Sequence, residues 1–72
     1  MLKVDGHDDA ILGVGYSSHR KPMLVYSVEL ILKNLMDMGM DFIEAQEFFD
    51  FNILGSYNGQ DMPIFLEPFQ EY

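Results

Sequence analysis

Asp5, Gly6, His7, Asp8 and Asp9 follow one another near the start of the sequence. Carboxylates and an imidazole at such close spacing are the donors a hard divalent cation takes, and the types that exchange protons in acid–base chemistry. The spacing lacks the distal Glu of a calcium-binding helix–loop–helix, and no H-E-x-x-H pattern is present. Asx residues in turns ordinarily bond nearby backbone N–H groups. Asp5, His7, Asp8 and Asp9 therefore define the alternative site, one for a metal or small ligand, or for a minor enzyme. Asn52 and Tyr57 join it if the last strands pack beside the first.

Other nucleophiles and phosphate cradles are scarce. Ser17, Ser18, Ser27 and Ser56 all lie outside a G-x-S-x-G elbow. Gly13-Val14-Gly15 lacks the third glycine and the strand–helix setting of a dinucleotide loop. No catalytic residue and no cofactor is assigned.

The elements that position these residues have clear local codes. Asp41 and Glu44 form a capping box, with Met40 and Ala45 as its hydrophobic staple. Phe42, Ala45, Phe48 and Phe49 then fall on one helical face, and Glu44, Glu47 and Asp50 on the other. This helix is expected to end between Phe51 and Leu54, with Asn52 as a terminator or buried corner. Before it, Ser27 caps a helix from Val28 to about Met38, whose buried stripe is Val28, Ile31, Leu32, Leu35 and Met38. Gly39 supplies the left-handed residue that stops that helix. Leu30 and Met36 lie off the stripe.

Ala10–Tyr16 and Met23–Tyr26 alternate as strands around the polar loop Ser17–Pro22, and Met62–Leu66 gives a last strand. If Ile53–Tyr57 is extended, it adds a strand paired around Asn58-Gly59. The expected fold is α+β: a small antiparallel sheet of three or four strands, covered on one face by a helical hairpin, in the order ββαα(β)β. Residues 1–72 make one domain, with 67–72 as a flexible tail.

Composition narrows the partners. Twelve acidic residues against four basic ones give a formal charge of −8. That opposes direct contact with nucleic acid phosphates or anionic membranes. Such acidity ordinarily serves solubility, and it also suits a protein partner with a basic surface, such as one that holds nucleic acid. The absence of cysteine excludes disulfides and thiolate metal sites. No apolar run approaches the roughly 20 residues needed to span a bilayer. Phe48-Phe49-Asp50-Phe51 cannot turn every ring into one core, so Phe51 joins Glu44, Glu47 and Asp50 as the expected partner-binding set. Leu30 and Met36 are the expected self-association residues of a two-fold dimer.

The segments D-G-H-D-D-A-I-L-G-V-G-Y, E-A-Q-E-F-F-D-F-N-I-L-G-S-Y and M-P-I-F together resemble a group of short proteins of tailed bacteriophages and prophages. That group shares a D-G-x-D-D-A-I-x-G block, a G-M-[ST]-x-E-E-A helix start and an E-F-N-x-x-G ending followed by P-x-F. The likeness spans most of Asp5–Leu66, with Asp41 in place of the usual Ser or Thr cap, Ser56 for Ala and Met62 for Thr. It implies a phage accessory protein in the cytoplasm of the bacterial host, and no particular reaction. The expected function is to bind a host or phage protein, as an inhibitor or a nucleic-acid mimic on a basic host site.

Overall fold

The computed structural model describes residues 2–16, 18–57 and 62–67. A 3-10 turn, Asp8–Ala10, leads into β1 (Ile11–Tyr16), and β2 (Pro22–Ser27) follows. Two helices come next, α1 (Val28–Asp37) and α2 (Phe42–Phe48). The second runs on as a π-helical segment, Phe49–Ile53, and a 3-10 turn, Leu54–Ser56, before β3 (Ile64–Leu66). The α+β class is as expected.

The sheet is mixed, which corrects the all-antiparallel expectation. Its order is β1-β2-β3, with β1 antiparallel to β2 and β3 parallel to it. Parallel neighbours require a long crossover, and the whole helical layer between Ser27 and Ile64 serves as one. Strand patterning carries no sign of direction, so the sequence left this open. The optional strand at Ile53–Tyr57 is also corrected. Ile53 closes the π segment and Leu54–Ser56 is a 3-10 turn, so its backbone groups are spent on helical bonds. Asn58-Gly59 and 68–72 of the tail lie outside the described residues.

The β1–β2 register slips between Ile11 and Gly13, making Leu12 the extra residue of a bulge. Gly13 marks the spot, as strand glycines often do. Beyond the bulge, Tyr26 on β2 and Phe65 on β3 are paired positions whose rings stack at 5.8 Å. Both join the core beneath the helices. Val25, between them in alternation, is buried but lies outside that core cluster.

Helix α1 starts and stops as its residues dictate. The Ser27 hydroxyl accepts from the Leu30 N–H at 3.3 Å. At the far end Gly39 takes φ +111°, and the N–H groups of Gly39 and Met40 donate to the carbonyls of Met36 and Leu35. This is the Schellman closure, in which only glycine adopts the left-handed step without strain. Val28, Ile31, Leu32 and Leu35 are buried as expected. Met38 is not; it caps the helix and is 74% exposed, because the chain turns away there. Leu30 is half-buried against the core, although it lies off the expected stripe.

Helix α2 begins with the Asp41 carboxylate accepting from Glu44 N–H at 2.7 Å. The buried line is Ala45, Phe49 and Ile53, at spacings of four. Four residues of α-helix overshoot a turn by about 40°. The wider turns after Phe48, where Leu54 N–H reaches back to Phe49 C=O, take this rotation back and hold Ile53 under the same face. Phe42, expected underneath, is half exposed at the first turn, and Asn52, expected as a terminator or a buried corner, is exposed within the π segment.

Candidate functional site

Two concave surfaces lie on either side of Phe48 and Asn52. The larger is a cleft of about 670 Å³ between the N-terminal segment, the C-terminal half of α1 and the π segment. The N-terminal segment is held in three places. Val4 N–H donates to the buried Tyr26 hydroxyl at 2.9 Å. Tyr57 O–H donates to Lys3 C=O at 3.2 Å. His7 N–H closes a four-residue turn on Val4 C=O, with Gly6 at φ +85° in the place that demands a positive φ. That turn drives the His7 ring inward, leaving it 7% exposed.

The ring is tied to its neighbours through Asn34. Asn34 Nδ2–H donates to Asp9 Oδ1 at 2.9 Å, and the same nitrogen stands 3.4 Å from His7 Nδ1. A carboxylate only accepts, so the Asn34 amide must turn its NH₂ toward both groups. The same amide thus ties the His7 ring to Asp9. Among the described residues no buried side-chain nitrogen or oxygen lacks a hydrogen-bond partner.

Asp5, Asp9 and Asp37 stand at the exposed edge, and Asn52, Ser56 and Tyr57 close the far side. Apolar contact comes from Val4, Leu35, Met38, Phe48 and Ile53. Burial, then the neighbouring Tyr26, then the negative Asp5 push the Tyr57 phenol above its ordinary value of 10.0. The folded state thus holds this proton more tightly than the unfolded chain. Its contribution to stability is complete below pH 10.0 and is lost as pH rises above it. Urea unfolding of Tyr57→Phe should therefore show a smaller loss of stability between neutral and strongly alkaline pH than the parent. At neutral pH the variant should cost about 0.5–1.5 kcal/mol for the missing hydrogen bond. An identical alkaline slope would contradict the assignment.

The second surface is a groove of about 310 Å³ along α2, lined by Met40, Glu44, Glu47, Phe48, Phe51 and Asn52. Phe51 is 77% exposed and Ile43, beside Glu44 in the chain, is 67% exposed. The π segment explains this. Ala45, Phe49 and Ile53 fill the core side, so Phe51 has no inward position left.

The expected sites fare unevenly. Of the N-terminal set, Asp5, His7 and Asp9 line the cleft with Asn52 and Tyr57, whereas Asp8 turns outward to an exposed ion pair with Lys3 at 3.2 Å. Among the described residues no three His, Asp or Glu side chains converge as a metal site. Of the partner-binding set, Glu44, Glu47 and Phe51 share the groove, while Asp50 lies in a neighbouring one with Phe42 and Gln46. Leu30 and Met36 do not form one surface: the first packs on the core and the second is exposed, six positions on and about 120° around the helix. Asn34 and Asp37 were missed. An Asn inside a helix is poorly placed unless its side chain has a partner, and that was the available signal.

No described helix is long and apolar enough to cross a membrane. No protein-family model, curated protein or solved structure matches the chain.

Proposed function

We propose that this chain works by binding a protein partner, which it docks through the Phe51 groove of α2. The observation that carries the reading is Phe51 itself, 77% exposed on the groove that Glu44 and Glu47 also line. An aromatic anchor with an acidic rim suits a partner segment that is apolar at its centre and basic around it. The net charge of −8 supports the same sign of partner at long range. An inhibitor that occupies a basic, nucleic-acid-binding surface has this chemistry. The resemblance to phage accessory proteins supports a host or phage protein as the partner and the host cytoplasm as the place of action.

A short amphipathic Leu/Lys peptide is a suitable probe. Titration calorimetry should show saturable binding that weakens with added salt and falls by about tenfold or more in Phe51→Ala, a loss expected of an aromatic anchor. Equal affinity for the parent and Phe51→Ala would refute the groove. Light scattering distinguishes the other occupant: a dimer mass that returns to a single chain in Phe51→Ala would assign the groove to a second copy.

A further inference from the structure

Strand β1 lies at one edge of the sheet, and among the described residues it pairs only with β2. We propose that this edge joins the same edge of a second copy, so that two chains share one continuous sheet. Natural edge strands ordinarily carry a charge or a proline that discourages such pairing. Ile11–Tyr16, I-L-G-V-G-Y, carries neither. Its apolar side chains are left in the open: Leu12 is 57% exposed, Val14 50% and Tyr16 71%.

Symmetry limits which residues meet. A two-fold axis through the sheet pairs antiparallel strands face for face, so one residue stands opposite its own copy. With the axis at Val14, Val14 meets Val14 of the second copy and Leu12 meets Tyr16. The three exposed apolar residues then cover one another. The same register carries Asp8 and Asp9, just before β1, toward His19 and Arg20, which lie between β1 and β2 of the second copy. Acid thus meets base at both ends of the contact. The strand between is uncharged, so the net charge of −8 is not concentrated there. Arg20 takes φ +59°, a backbone state that glycine or asparagine adopts more readily. A guanidinium held there against local preference points to a use for its charge. Asp8 already meets Lys3, but an exposed ion pair of that kind holds its partners weakly.

Light scattering of the full chain at tens of micromolar should give a mass twice that of the 8.3 kDa chain. The chain has no cysteine, so a single introduced one reports the register. Val14→Cys should form a disulfide-linked dimer on mild oxidation, because a residue opposite its own copy brings two sulfurs within bonding distance. Leu12→Cys, opposite Tyr16, should not. Arg20→Glu should weaken the dimer by about tenfold or more, and Asp8→Arg added to it should restore the parental affinity. Lys33→Glu changes the net charge equally from an exposed position on α1 and should leave the dimer intact. Phe51→Ala should also leave it intact, so failure here and failure at the α2 groove are distinguishable. A single-chain mass would overturn the proposal and leave the edge to an extended segment of another protein. A dimer split by Phe51→Ala, equal dimerisation of the parent and Arg20→Glu, or cross-linking through Leu12→Cys and not Val14→Cys would overturn it as well.

Discussion

Phe49→Ala should lower the unfolding free energy by about 3–5 kcal/mol, whereas Phe51→Ala should change it by no more than about 0.5 kcal/mol. The two rings are two positions apart on the same helical segment and have opposite fates. Phe49 is 3% exposed and meets Phe65 edge-on at 5.2 Å, while Phe65 stacks on Tyr26. Its loss opens a cavity where helix layer and sheet meet, and removes a T-shaped aromatic contact as well. A domain of 72 residues has roughly 4–11 kcal/mol of stability in total, so the first variant should be near unfolding and the second near parental. Urea denaturation of the pair measures this directly. A Phe51→Ala loss equal to that of Phe49→Ala would mean that the π segment does not set the facing of these rings.

Tyr26→Phe should cost about 1–3 kcal/mol and free the N-terminal segment. Tyr26 is fully buried, and its hydroxyl oxygen accepts the Val4 N–H at 2.9 Å. Removing that oxygen leaves a buried backbone donor without its partner while barely changing the volume of the ring. The Val4 amide should then lose hydrogen-exchange protection by more than the global destabilisation explains. Val4 and His7 share the turn that forms one wall of the cleft, so the His7 amide should lose protection in parallel. Unchanged exchange at Val4 would show that other contacts hold the segment.

Local chemistry was legible where a few neighbouring residues decide the outcome. Ser27, Gly39 and Asp41 each do what their types predict, because a cap is a bond between close neighbours in the chain. The facing of the second helix was only half legible. A uniform 3.6-residue period leaves Ile53 out of line, and the observed change of period after Phe48 brings it under the core face, while Phe42 is exposed at the first turn. Strand direction was not legible at all, since Met62–Leu66 alternates equally well in either sense.

The candidate site shows the same division. Asp5, His7 and Asp9 were identifiable from type and spacing, and Gly6 marked the turn that buries His7. Asn34 and Asp37 reach the cleft from α1, more than two dozen residues along the chain, through packing that no local pattern records. Phe51 was singled out because three rings in four residues overfill one side of a helix. The structure shows which ring is left over.

The claim that the groove of α2 is the docking surface is tested most directly by site-specific photocross-linking in living cells of the source organism. Benzoylphenylalanine would replace Phe51 in one variant and Leu12, an exposed apolar residue on β1, in the other. The expected result is one discrete cross-linked protein from position 51, competed by the untagged parent chain, and only a second copy of the chain from position 12. A competed adduct with another protein from position 12 and none from position 51 would contradict it.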